Sequence, residues 1–277
     1  MTVKAPKVHF ISGLPRSGST LLSALLRQNL AYHADMSSPV AALMSGCLEQ
    51  IGAGGEFNSF FDDAKRRHLS RAVFDAYYHD KQDKEIIFDT NRIWTARMHQ
   101  LVELYGDFKM ICLVRNPAWV MDSFERIYRK NPFDYSRMFN AANRQTVYSR
   151  CESMMSAGGT TGSAWTALKE AYYGEHSERL LLVDYDIVTR FPERSMKLIY
   201  DFIGEASFKH DFDNVEYSAG EFDQQLGVKG LHDVKKKVEF KQRKTVLPPE
   251  LFAKYSEMAF WQDKAGTSAS IIAPKGE

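Results

Sequence analysis

Eight residues, Gly13-Leu14-Pro15-Arg16-Ser17-Gly18-Ser19-Thr20, have the composition of an anion cradle. Gly13 and Gly18 permit tight turns and close approach of the backbone to an oxygen-rich ligand. The N–H groups of Ser17 to Thr20 fall where an apolar-periodic stretch begins, and a helix start favours negative charge. Ser19 and Thr20 add hydroxyl donors. Arg16 adds a planar, permanently charged fork suited to phosphate or sulfate oxygens. A nucleoside-triphosphate loop of this length carries lysine before its last Ser/Thr, and here that place holds Ser19. That lysine would bridge the β- and γ-phosphates while the neighbouring hydroxyl holds Mg²⁺. With the lysine missing, and no clear strand ending in a second magnesium-binding Asp, the loop suits a single 5′-phosphate better than a triphosphate.

The elements that must position this loop can be read as four strand-then-helix pairs. Val8 to Ile11 is a short apolar run, and the helix after the loop places Leu21, Leu22, Leu25 and Leu26 on one face. Glu85 to Phe88 is a second strand, followed by a helix with Trp94, Met98, Leu101, Val102 and Tyr105. Lys109 to Val114 is a continuous apolar run that predicts burial on both faces. Its helix opens at Asn116-Pro117, a cap followed by proline in the first turn. Arg179 to Tyr185 is the fourth strand, and its helix starts near Pro192. Strands alternating with helices predict an α/β fold: a doubly wound parallel sheet with helices on both faces. Ligands then bind at the carboxyl ends of the strands, beside Gly13–Thr20, Asp89–Arg92, Arg115–Pro117 and Asp184–Asp186. Residues 31–84 and 131–178 read as long, largely helical insertions. Residues 267–277 read as a flexible tail. No linker divides the chain, so a single domain is expected over residues 1–277.

Composition narrows the function classes. The chain has 277 residues and a formal net charge of +1, which argues against a general electrostatic grip on nucleic acid. Any anion site must be local. Three cysteines without a CxxC pattern suggest neither a disulfide framework nor a zinc site. No histidine spacing predicts a metal. Neither a signal peptide nor a run long enough to span a bilayer is found, so a cytoplasmic protein is expected.

The stretch Gly13 to Leu22 resembles the 5′-phosphosulfate-binding loop of sulfotransferases. It is most similar to bacterial enzymes related to tyrosylprotein and carbohydrate sulfotransferases, whose loop begins Pro-Arg-Ser-Gly, here Pro15 to Gly18. The resemblance implies a P-loop NTPase-like sheet and 3′-phosphoadenosine 5′-phosphosulfate as co-substrate, without metal. It also implies a 3′-phosphate site made by Arg115, at the end of a strand, and Ser123, eight residues later on the next helix. That pairing is chemically sensible, since arginine chelates phosphate oxygens and the hydroxyl adds a neutral donor. By the same resemblance Tyr185 falls near the adenosine. The late basic stretch supplies Lys235, Arg243 and Lys244 as further phosphate contacts, and Arg126 is an additional candidate for the 3′-phosphate.

Sulfuryl transfer is an in-line displacement that needs charge stabilisation, here from Arg16 and the loop N–H groups, and a general base. The bases known in the family do not carry over. The second strand continues as Phe88-Asp89-Thr90-Asn91-Arg92 without histidine, and Ser37 stands where the tyrosylprotein enzymes place Glu. Asp89 is the leading candidate for the base, with a helix cap as its alternative role. His33, Asp35 and His232 follow. The insertions hold Phe57, Phe60, Phe61, Tyr77, Tyr78, Phe133 and Tyr135, candidates to line a site for a small-molecule, glycan or tyrosyl-peptide hydroxyl. Two other readings compete: a small-molecule kinase with an altered loop, and a nucleotide-binding protein without turnover.

Overall fold

A computed structural model describes residues 5–130, 139, 143–218, 220–225 and 231–273. Six strands form one sheet: β1 (Lys7–Gly13), β2 (Tyr32–Ala34), β3 (Ile86–Thr90), β4 (Met110–Val114), β5 (Leu180–Asp184) and β6 (Ser270–Ile272). Their order is β2-β3-β1-β4-β5-β6, and every neighbouring pair is parallel. The chain runs from β1 out to β2, back through β3, and past β1 to β4. This reversal opens a crevice at the carboxyl ends of β1 and β4.

Helices cover both faces, which is why the central strands read as continuous apolar runs. On one side lie α3 (Asp63–Tyr77), α4 (Met98–Tyr105) and α7 (Thr160–Tyr173), packed on Phe10, Met110 and Cys112. On the other lie α1 (Ser19–Leu26), α8 (Tyr185–Arg190) and α9 (Pro192–Ile203), packed on Ile11, Ile111 and Leu113. A third cluster joins α5 (Pro117–Lys130), α6 (Val147–Met155) and α11 (Pro249–Ser256). The remaining helices are α2 (Val40–Ile51) and α10 (Gly220–Gln225). None of the described helices is long and apolar enough to cross a membrane.

Asn116 caps α5 as expected: its Oδ1 accepts from the Ala118 amide at 2.9 Å. Two strands depart from the sequence reading. The segment after residue 31 begins with β2, whose Tyr32 and Ala34 are buried beside β3. The tail is not frayed as far as Ile272, because Ser270, Ile271 and Ile272 pair with Leu181, Leu182 and Val183 of β5. Three-residue edge strands are too short to carry an alternation signal, and their partners lie far away in sequence. Phe133 and Tyr135 lie outside the described residues.

Phe10 is a central support of this frame. It is fully buried and meets the rings of Trp94, Tyr105 and Phe108 edge-on, at 5.0, 5.3 and 5.4 Å. Phe10→Ala is expected to cost about 3–5 kcal/mol, read from urea unfolding midpoints. A loss below about 1 kcal/mol would contradict this packing.

Candidate active site

The loop after β1 is held against β4. Gly13 has φ +111°, and a Cβ there would lie 2.1 Å from the Leu113 carbonyl oxygen, so only glycine fits. That carbonyl accepts from the Leu14 amide at 2.9 Å and from Ser17 Oγ at 2.8 Å. Gly18, at φ +98°, precedes α1, whose start has neither a side-chain cap nor an acidic residue in its first turn. Its first amides are therefore open to an anion. Pro15 and Ser17 are buried, whereas Ser19 and Thr20 are half-buried at the helix start.

Arg16 is the one non-glycine residue with positive φ, +60°, among the described residues. A side chain in that region costs on the order of 1–3 kcal/mol and persists only where its surroundings enforce it. Here the conformation turns the guanidinium across the crevice. Its Nε donates to Ser123 Oγ on α5 at 3.1 Å, and its Nη1 donates to the Leu231 carbonyl. Arg16 on the loop and Ser123 on α5, 107 residues apart, thus meet.

Arg115 leaves β4 with its guanidinium over the Tyr185 ring, 4.4 Å from the centroid. Its nearest carboxylate oxygen, on Asp186, is 3.9 Å from Nε, and Nε itself is buried without a hydrogen bond. Tyr185 in turn packs against Gly18, where a Cβ would lie 2.7 Å from Cδ2 of the ring. Arg243 completes the group, and Arg115 is a repulsive neighbour of both Arg16 and Arg243. Burial first, and then Arg115, pushes the proton affinity of those two guanidiniums down. A polyanion placed between three like charges would relieve that repulsion.

Asp122 on α5 ties the late segment to this crevice. Its fully buried carboxylate forms an ion pair with Arg243 Nη2 at 2.8 Å and accepts from Arg126 Nε at 2.8 Å, the Val246 amide at 2.7 Å and Thr245 Oγ1 at 3.2 Å. Arg126 also donates to the Lys244 carbonyl. Arg126 is thereby a brace for the segment. Of the three late basic residues, Arg243 reaches the crevice, while the side chains of Lys235 and Lys244 are exposed.

The four candidate bases lie in different settings. Asp89 has no exposed surface, and its oxygens accept from Ser38 Oγ at 2.7 and 2.8 Å, Tyr78 OH at 2.9 Å and Trp94 Nε1 at 2.7 Å. Burial pushes its proton affinity up, and these three donors oppose the rise. Every approach to the carboxylate is occupied, which corrects the expectation of a base there. Neither is Asp89 a cap, since Asn91 Oδ1 takes the Ile93 amide at 3.2 Å. Tyr78 is a buried partner of Asp89 and not a pocket wall. His33 packs edge-on against Tyr78, at 5.4 Å between ring centroids, and burial lowers its proton affinity. Asp35 accepts from the Tyr217 hydroxyl and, at 2.8 Å, from the Met36 amide. His232 Nδ1 stands 2.5 Å from Asp223 Oδ1.

The model of the sulfotransferase family matches residues 9–209, most of the chain, from within β1 through β5. The chain belongs to the sulfotransferase family. A sulfotransferase domain from the curacin biosynthetic pathway superposes with TM-score 0.52 at 16% identity, covering 92% of each chain, which supports the fold. A sulfotransferase domain from the Synechococcus PCC 7002 olefin synthase has TM-score 0.48 at 20% identity, covering 92% of this chain and 94% of that one. The nodulation protein NoeE of Sinorhizobium fredii is 30% identical over 136 residues, an alignment covering 43% of this chain and 31% of that protein. The match thus spans about a third of that relative's length.

Sequence reasoning about this sulfotransferase missed Asp122 and Asp223, because an aspartate within a helix carries no signal until its partners are known. It also found no ligand pattern among histidines, yet ligand atoms of His99, Glu175 and His176 lie within 4.8 Å of one another on the surface. A surface cavity of about 260 Å³ lies between α2, α3 and α4 and contains no residue of the anion loop.

Asp184, at the end of β5, caps α8 by accepting from the Asp186 and Ile187 amides at 2.9 and 3.3 Å. Burial, then the Asp186 charge, pushes its carboxyl up to about 6 from the ordinary 3.8. A raised folded-state value makes the carboxyl favour the native state below pH 3.8, and that contribution is lost as pH rises through 6. Asp184→Asn keeps a cap and removes the titration. Its stability relative to the wild type is expected to improve by about 3 kcal/mol between pH 3.5 and 7, measured by urea unfolding at both values. An unchanged difference would refute the assignment.

Proposed function

We propose that this sulfotransferase transfers a sulfuryl group from 3′-phosphoadenosine 5′-phosphosulfate to a hydroxyl acceptor by in-line displacement. The observation that carries the reading is the convergence of Arg16, Arg115 and Arg243, with Arg16 bonded to Ser123 at 3.1 Å. The buried Arg115 Nε, which lacks a hydrogen bond, fits an anionic ligand with a phosphate on its far side. The amides of Ser17 to Thr20, with the Ser19 and Thr20 hydroxyls, hold the 5′-phosphosulfate. Arg115 and Ser123 hold the 3′-phosphate, with Arg243 beside them. Tyr185 stacks near the adenine and also orients Arg115.

The donor supplies an activated sulfuryl group, and this chain's residues position it. Arg16 spans the two anionic ends and stabilises negative charge growing on the 5′-phosphate as the S–O bond breaks. A site with no lysine at position 19 favours this ligand over a nucleoside triphosphate with magnesium. The acceptor, a small-molecule or glycan hydroxyl, would approach from the side of the insertions, where Phe57 and Phe60 are exposed.

Calorimetry with 3′-phosphoadenosine 5′-phosphate, beside ADP and ATP with Mg²⁺, tests the donor. Micromolar binding of the 3′-phosphorylated nucleotide without metal is expected. Preference for ATP with Mg²⁺ would replace the reading with a kinase. Arg115→Ala is expected to weaken the 3′-phosphorylated nucleotide by about 2–4 kcal/mol. Normal affinity in that variant would sink the 3′-phosphate assignment. Arg16→Ala should abolish release of radiolabelled sulfate from the donor, and retained release would remove Arg16 from the chemistry.

A further inference from the structure

Two imidazoles and a carboxylate meet on the surface with the types and spacing of metal ligands. His99 is the second residue of α4, and Glu175 and His176 lie in the link between α7 and β5. Glu175 Oε1 stands 3.4 Å from His99 Nδ1 and 3.2 Å from His176 Nε2. One ligand atom from each residue lies within 4.8 Å of the other two. Around a tetrahedral zinc ion with bonds of about 2.0–2.1 Å, neighbouring ligand atoms are about 3.3 Å apart. The two measured approaches bracket that edge. The imidazole rings are 5.4 Å apart between centroids and tilted by 70°, so two in-plane lone pairs can aim at one point without collision. The backbone beneath is held. The Ser177 amide donates to the Gly174 carbonyl at 3.2 Å, and the Arg179 amide to the His176 carbonyl at 3.1 Å. Arg179 Nη1 donates to the Gly106 carbonyl at the far end of α4, and Ser177 Oγ accepts from the Ser268 amide at 3.2 Å, just before β6.

From this geometry we infer that His99, Glu175 and His176 form a binding site for one zinc-type divalent ion, which clips the start of α4 to the link between α7 and β5. Two imidazole nitrogens and one carboxylate oxygen suit zinc, and water completes four-coordination. Imidazole ligands favour zinc and its transition-metal neighbours over magnesium or calcium, which prefer oxygen. The clip closes a bracket. The link already holds the end of α4 through Arg179 and Gly106, and the ion would hold its start. His99 and Glu175 side chains are 78% and 68% exposed, so an ion reaches them from solvent and small rotations complete the site. The site lies at the amino end of β5, whereas the anion loop lies at the carboxyl ends of the strands. The ion therefore takes no part in the transfer and acts on stability, by binding the folded chain. Without an ion, the same side chains amount to a surface ion pair, which contributes little.

The test uses the full chain, dialysed against a chelator and then titrated with zinc chloride by calorimetry. Uptake of one zinc per chain at micromolar or tighter affinity is expected, with no uptake of magnesium. His99→Ala and His176→Ala should each weaken zinc by about 10²-fold or more, since losing a ligand costs at least as much as losing an outer partner. The exposed position of His99 means that His99→Ala should melt like the wild type in the absence of metal. Zinc should then raise the melting temperature of the wild type and leave that of His99→Ala unmoved. No uptake by the wild type would overturn the site and leave a surface ion pair. Uptake with unchanged affinity in both alanine variants would also overturn it, by placing the ion elsewhere. Affinity for 3′-phosphoadenosine 5′-phosphate should be the same with and without zinc, and a zinc-dependent affinity would contradict the separation of the two sites.

Discussion

Mutual repulsion among Arg16, Arg115 and Arg243 is the constraint around which the site is organised. Three guanidiniums in a half-buried crevice raise one another's cost, and the crevice must hold them without cancelling them. Neutralising each with a carboxylate would stabilise the empty protein and destroy an anion site. The structure instead uses softer partners. Arg115 lies on the Tyr185 ring, and Arg16 donates to a hydroxyl and a carbonyl. Only Arg243 has a close carboxylate, that of Asp122, and it is shared with Arg126 and two donors of the late segment.

The sheet makes this tolerable. β1 and β4 are adjacent, so Gly13 lies on Leu113 and the loop is fixed at its start. Gly18 is pressed by Tyr185 from the end of β5, which fixes the other side. Between these two contacts Arg16 is held at a backbone angle that an isolated peptide would avoid. The core beneath, built on Phe10 and its ring neighbours, resists relaxation of the strand ends because close-packed interiors transmit strain.

Buried carboxylates divide the labour. Asp89, closed by Ser38, Tyr78 and Trp94, joins β3 to the segments that precede it and has no surface for chemistry. Asp122 anchors the late segment. Asp223 holds a histidine ring beside the anion loop. All three are aspartates with almost no exposure, and their partners distinguish what each holds in place.

The sequence by itself determined the fold class, the four inner strands and the anion loop, because each leaves a local trace. Apolar runs mark strands buried on both faces, and glycine at fixed offsets marks backbone that must turn left-handed or approach closely. The placement of Arg115 at a strand end and of Ser123 on the next helix was legible in the sequence, whereas the hydrogen bond from Arg16 to Ser123 was not. Only the tertiary structure decided the rest. It seated β2 and β6 at the sheet edges, closed Asp89 off from any acceptor, set Arg243 on the buried Asp122, and set Asp223 against His232. The physical reason is the same in each case. A carboxylate's proton affinity and a basic residue's role depend on burial and on partners distant along the chain, and neither quantity is written in residue type or local spacing.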